Sequence, residues 1–122
     1  MKYDISHALL NLVPKAQWSI SGESYSGIEW FDSSITKPTE SALNTKVDEL
    51  NAAEPLRLLR IERDKRLAAC DWTQSRDVTL SNDVNWKTYR QSLRDLPASA
   101  SPKLDSNGDL DLSSVTFPAE PS

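Results

Sequence analysis

The sequence predicts an α+β protein, and three observations carry that reading. Apolar residues recur at helical spacing in several separate stretches. Residues 17–31 instead alternate polar and apolar side chains around a glycine-containing turn. Beyond Pro97 neither period persists, and Ser, Pro and Asp dominate. The expected order is an N-terminal helix and β-hairpin, a long or kinked central helix, an αα-hairpin and an extended C-terminal tail. By pattern the chain divides into residues 1–36 (helix plus hairpin module), 37–97 (helical region with the αα-hairpin) and 98–122 (extended tail with a small β-hairpin).

Each element has its own signal. In residues 3–13, Ile5, Leu9, Leu12 and Val13 fall on one helical face, and Pro14 ends the helix because it cannot donate a backbone N–H. Trp18 and Ile20 then alternate with Gln17, Ser19 and Ser21. Residues 21–24 supply a turn, and Tyr25, Ile28, Trp30 and Phe31 come after it, giving a hairpin with one aromatic face that another element must cover. Lys37-Pro38-Thr39-Glu40 reads as a helix start with Thr36 or Thr39 as N-cap. Leu43, Val47 and Leu50 continue it, and Pro55 either kinks one long helix or separates two.

Residues 56–72 place Leu56, Leu59, Leu67 and Cys70 near one stripe, widened by Leu58 and Ile61. After a loop with Asn82 and Asp83 as candidate caps, residues 84–96 set Trp86, Tyr89, Leu93 and Leu96 at helical spacing. Two such helices form an αα-hairpin, each offering an apolar stripe to the other. In the tail, Asn107-Gly108 is a two-residue turn signal that would pair Leu104 with Leu110 and Leu112. Pro118 and Pro121 forbid a helix in the last residues, so these are expected to be extended.

Composition narrows the function. The chain has 122 residues, with 38% hydrophobic and 7% aromatic residues and a mean hydropathy of −0.54, so its core is modest and a partner surface is expected to add to its stability. A net charge of −4 opposes the phosphate neutralisation that nucleic-acid binding needs. Arg57, Arg60, Arg63, Lys65 and Arg66 outnumber Glu62 and Asp64 on one helix, but no aromatic lies among them to stack on bases. Glu62 stands four residues before Arg66, the favourable order for an ion pair. The start of the chain lacks the pattern of a signal peptide, and no run reaches the length of a membrane span.

Catalytic and metal chemistry find few candidates. Cys70, the single cysteine, sits among Leu67, Ala68, Ala69 and Trp72, as a buried inert thiol would, and the one histidine, His7, lies in another segment. Asp105, Asn107, Asp109 and Asp111 are spaced like the start of a calcium loop. Counted from Asp105, however, glycine falls at the fourth position and Thr116 at the twelfth, where an EF-hand needs glycine at the sixth and glutamate at the twelfth. A polar turn accounts for the series without a metal. No catalytic set, phosphate loop, cofactor site or metal cluster emerges, so the chain is read as a non-enzyme that binds a partner protein. Four tryptophans in so small a chain support that reading. Trp18 and Trp30 suit the hairpin core and Trp72 and Trp86 the junction of two helices, yet a small domain cannot bury all four, and large aromatics dominate binding surfaces.

One segment has a more specific character. Arg60, Arg63-Asp64, Leu67, Cys70-Asp71-Trp72-Thr73, Asp77-Val78, Trp86, Tyr89-Arg90 and Leu93-Arg94-Asp95-Leu96-Pro97 together resemble the phage tail assembly chaperone family over roughly residues 57–97. Ile28-Glu29-Trp30 and Lys37-Pro38-Thr39-Glu40 are similar to the front end of small proteins encoded beside phage tail fibre genes. Phe117-Pro118 stands where the family often has a Trp-Pro step, and the Asp-rich turn departs from the family pattern. The resemblance implies a chain that binds an oligomeric phage tail fibre or baseplate protein and assists its assembly in the host cytoplasm. The alternative is an adaptor kept in the mature virion tail. The residues expected to meet the partner are Trp72, Trp86, Tyr89, Arg90, Arg94 and Phe117. A carboxylate from Asp64 or Asp71 is expected to pair with Arg90.

Overall fold

A computed structural model describes residues 2–121 of the chain. The element order is α1 (Ile5–Leu12), β1 (Trp18–Ile20), β2 (Ile28–Trp30), α2 (Glu40–Ala69) and α3 (Asp83–Ser99), with short 3-10 turns at Tyr25–Gly27, Asp71–Gln74 and, after α3, Leu112–Ser114. The chain is therefore mixed α+β with a long central helix. Its contacts divide it into two compact units, Met1–Glu54 and Pro55–Ser122.

In the first unit, α1 starts where Asp4 adopts an extended backbone and its carboxylate accepts the N–H groups of Ser6 and His7. His7 Nδ1 accepts the Asp4 N–H in return at 3.2 Å, so the two residues close a capping box. The helix buries Ile5, Ala8 and Leu9, whereas Leu12, expected inside, is 40% exposed at the helix end. β1 and β2 pair antiparallel with Trp18 opposite Trp30 and Ile20 opposite Ile28, which puts all four on one face. These four, with Tyr25, pack against Ile5, Ala8, Leu9 and Leu43.

The hairpin is shorter than the alternation suggested, because Tyr25–Gly27 forms a 3-10 turn. Gly27 donates to Ser24 and accepts from Ser21, and a Cβ built on it would overlap the Ser21 carbonyl oxygen. After β2, the indole of Trp30 donates to the carbonyls of Asp32 and Ile35, and the Asp32 carboxylate gathers the N–H groups of Gln17, Ser34 and Ile35.

Of the two N-cap candidates for α2, Thr39 takes the position. Its hydroxyl accepts the Ala42 N–H at 3.1 Å and its carbonyl the Leu43 N–H at 3.0 Å. The helix then runs unbroken through Pro55. Leu43 and Val47 serve the core of the first unit, while Leu59 and Cys70 are buried in the second. Ile61, read as widening the apolar stripe, is instead 53% exposed.

In the second unit, α3 continues past Leu96 and through Pro97 to Ser99, with the Ala100 N–H closing on the Leu96 carbonyl at 3.0 Å. Asn82 occupies its N-cap position without a side-chain capping bond, and Asp83 in the first turn pairs with Lys87 at 3.1 Å. The tail forms one bridge, Leu104 to Leu110. Its turn differs from the two-residue Asn-Gly form expected. Gly108 donates to the Asp105 carbonyl, so Ser106 and Asn107 are the central residues and Gly108, at φ +83°, comes after them.

Candidate partner-binding surface

The end of α2 sets the geometry of the second unit. A helix leaves its last carbonyls without intrahelical partners, and here they are met locally. The chain tightens into a 3-10 turn at Asp71–Gln74. The Thr73 N–H and hydroxyl both meet the Cys70 carbonyl, the hydroxyl at 2.7 Å, and Thr73 is buried at 2% exposure. The Leu67 carbonyl receives a side chain from α3: Arg90 Nη1 donates to it at 3.0 Å and lies 3.1 Å from Cys70 Sγ. Arg90 Nη2 reaches Asp71 Oδ1 at 2.9 Å. One guanidinium thus joins the last turn of α2, the two residues after it and α3. Burial works against the charge of Arg90, but the contacts to Cys70 and Asp71 outweigh it and hold its pKa above the ordinary arginine value.

Beside this junction the aromatic residues form a ladder. Trp72 meets Trp86 edge to face at a centroid distance of 6.1 Å, and Trp86 meets Tyr89 likewise at 5.8 Å. Exposure falls along it: Trp72 is 54% exposed, Trp86 half-buried and Tyr89 buried at 5%. Tyr89 shares a core cluster with Cys70 and Leu93, flanked by Leu67 and Trp86. Burial, then the nearby Glu120 and Cys70, push the Tyr89 phenol above its usual pKa, against a lowering by the Arg66 guanidinium.

The six residues expected to meet a partner are therefore not equivalent. Trp72, Trp86 and Tyr89 are brought together, with only Trp72 largely open to solvent. Arg90 is committed to Leu67, Cys70 and Asp71. Arg94 is exposed and donates to Gln91 on its own helix at 3.1 Å, while Arg63 reaches its carbonyl at 3.4 Å. Phe117 stands apart from the ladder, over the Arg66 guanidinium at 3.8 Å. Arg66 also pairs with Glu62 at 3.0 Å, as the spacing implied. Its second role as the platform for Phe117 had no signal in the sequence, since about fifty residues separate the two. The Leu67 carbonyl was equally invisible, because backbone acceptors carry no sequence signature.

The acidic turn is occupied by its own backbone. The Asp105 carboxylate accepts the N–H groups of Asn107 at 2.8 Å and Asp109 at 3.0 Å, and the Asp111 carboxylate accepts the amide and hydroxyl of Ser113. Among the described residues, no group of three or more His, Cys, Asp or Glu side chains is placed to hold a metal ion. Among them, too, no helix is long and apolar enough to cross a membrane.

A family model described as phage tail assembly chaperone protein matches residues 56–122, more than half of the chain and nearly the whole of its second unit. No curated protein and no solved structure matches the chain.

Proposed function

Because the chain belongs to the phage tail assembly chaperone family, we propose that it binds the tail fibre or baseplate protein of its phage and assists assembly of the fibre, without catalysis. The single observation that carries this reading is Trp72. A tryptophan within the family's matched segment stays 54% exposed while its edge is fixed against Trp86. A rigid, half-open aromatic anchor is the kind of side chain that dominates protein–protein contacts, since its burial on binding costs little conformational entropy. Trp86 and Tyr89 support it from behind, and Arg94 is an exposed cation one turn beyond Arg90. An apolar patch on an unassembled fibre chain would dock there and be kept from aggregation until its own subunits cover it. The work would take place in the host cytoplasm, where fibre chains are made.

The test is a calorimetric titration of the chain with separately purified fibre and baseplate proteins of the same phage. The reading expects saturable binding to one of them, weakened in Trp72→Ala. Absence of binding to both contradicts it.

A second reading, a structural adaptor retained in the virion, is favoured by one feature. Residues 116–121 form neither helix nor strand and carry two prolines, a segment suited to lying along a neighbour permanently. Quantitative mass spectrometry of purified particles, normalised to the fibre protein, separates the two. A fixed ratio to the fibre identifies an adaptor, and absence from particles with abundance in the lysate identifies a departing chaperone.

A further inference from the structure

The last residues of the chain lie on α2 and α3 without being built into either. Phe117 stacks on the Arg66 guanidinium at 3.8 Å. Residues 118–121 form one wall of a cleft of about 380 Å³ whose other wall is Asn85, Thr88, Tyr89 and Ser92 of α3. Glu120 is near enough to act electrostatically on the Tyr89 phenol. Among the described residues, no backbone hydrogen bond ties residues 116–121 to the rest of the protein, the last such bond being Val115 N–H to the Leu112 carbonyl at 3.3 Å. The preceding turn is different, tied by Asp105 N–H to Asp109 and Asp111 N–H to Lys103, both at 2.8 Å. Val115, buried at 8% exposure, is thus the anchor, and residues 116–121 form a strap held by side chains across an incompletely filled cleft.

A strap of this kind is chemically a bound ligand. It presents an aromatic ring to a cation, and its prolines restrict the backbone before binding, which lowers the entropy lost on docking. The contact that holds it is a cation–π stack at a partly exposed site, weak compared with a helix or strand ladder. We propose that the face formed by Arg66 and Tyr89, with Asn85 and Ser92 along its edge, is a docking site for an extended, proline-flanked aromatic segment of a partner protein, and that the chain's own residues 116–121 occupy it until displaced. The inference rests on the reading of the chain as an assembly chaperone, and it adds the chemistry of the segment recognised and a built-in competitor for it. The surface is distinct from the Trp72 end of the ladder, so a partner can touch Trp72 first and take the strap's place second.

The test uses the full chain, isotopically labelled, and a synthetic peptide copying residues 113–121 as the probe. In Phe117→Ala the strap loses its ring, and the peptide is expected to shift the resonances of Arg66 Nε and Tyr89. It should bind at least about tenfold (~1.4 kcal/mol) more tightly than to the unaltered chain, where the strap competes. A peptide with Ala in place of Phe should not bind. Equal affinity for both chains, or no binding to Phe117→Ala, overturns the proposal. Should Phe117→Ala lose its helical circular dichroism, Arg66→Gln in the otherwise native chain decides. The amides of Phe117, Ala119 and Glu120 should then take random-coil shifts, and unchanged shifts overturn the proposal. Exchange of straps between two copies, seen as a peptide-sensitive dimer by sedimentation, would assign the face to self-association and overturn the partner assignment. The titration contains no phage protein other than this chain, so it stands or falls independently of binding to fibre or baseplate protein.

Discussion

Arg90 spans the end of α2, donating to the Leu67 carbonyl at 3.0 Å with one nitrogen and meeting Asp71 at 2.9 Å with the other. The two contacts are unequal. Arg90 is 15% exposed at its side chain and Asp71 65%, so the ion pair is screened by water whereas the bond to the carbonyl is sheltered. Arg90→Met should therefore destabilise the second unit by about 1–3 kcal/mol, by removing the charged donor to the Leu67 carbonyl, which keeps only the Cys70 N–H at 3.2 Å and the Cys70 thiol at 3.5 Å. Asp71→Ala should cost less than about 1 kcal/mol, seen as a small fall in melting temperature. Urea titrations of both variants check the order, and a larger loss for Asp71→Ala would contradict the assignment of Arg90 as a helix-end cap.

Of Gly22 and Gly27 in the hairpin, Gly27 is the one where an added Cβ meets backbone. A Cβ there would overlap the Ser21 carbonyl oxygen, and the Ser21 N–H is already tied to the Gly27 carbonyl at 3.0 Å. Gly27→Ala should cost about 1–3 kcal/mol through forced backbone movement. Gly22→Ala is strained for a different reason, its φ of +80°, although nothing crowds the site. Comparison of the two by thermal melting tests whether crowding or backbone conformation dominates the hairpin.

Acid should loosen the first unit through Asp4. Hydrogen bonds from the Ser6 hydroxyl, and after them from His7, hold this carboxyl below its ordinary value of 3.8, against an opposing effect of burial. Because the folded pKa is the lower one, the stabilisation is complete above pH 3.8 and is lost as pH falls through the folded value. Asp4→Asn should flatten the stability profile in that window and leave the profile above pH 5 (roughly) unchanged in shape. Equal acid sensitivity of the two proteins, measured by circular dichroism, would show that the α1 cap does not carry this dependence.

Trp72 should separate binding from folding. Its removal forfeits one edge-to-face contact with Trp86, worth about 1 kcal/mol, while leaving Cys70, Tyr89 and Leu93 buried. Trp72→Ala is thus expected to lower stability by about 1 kcal/mol and to weaken partner binding by about tenfold or more. Leu93→Ala should do the reverse, with a loss of about 2–5 kcal/mol in stability from a fully buried site. A Trp72→Ala chain that binds as well as the unaltered one removes Trp72 from the surface.

What the sequence revealed depended on how local the deciding interaction was. Alternation around Trp18, Ile20, Ile28 and Trp30 is a property of consecutive residues, and the four do share a face. The helical spacing of Trp86, Tyr89 and Leu93 likewise survives as a real cluster. Turn details failed where a side chain competed for the backbone. Asn107-Gly108 favours a two-residue turn, but the Asp105 carboxylate captures the Asn107 and Asp109 N–H groups and moves the turn one residue earlier. Pro97 reads as the end of a helix, yet α3 runs through it to Ser99, giving up the one bond that residue 97 would otherwise donate to the Leu93 carbonyl. Residue types told of a carboxylate, Asp64 or Asp71, for Arg90, and Asp71 is the one that meets it. They could not tell that Arg90 also caps a backbone carbonyl, or that Arg66 carries Phe117.

The most direct measurement is the yield of soluble, assembled tail fibre when its gene is expressed with and without this chain. The chaperone account expects a severalfold higher yield in its presence and a loss of most of that gain with Trp72→Ala. The same yield of assembled fibre with and without the chain would contradict it.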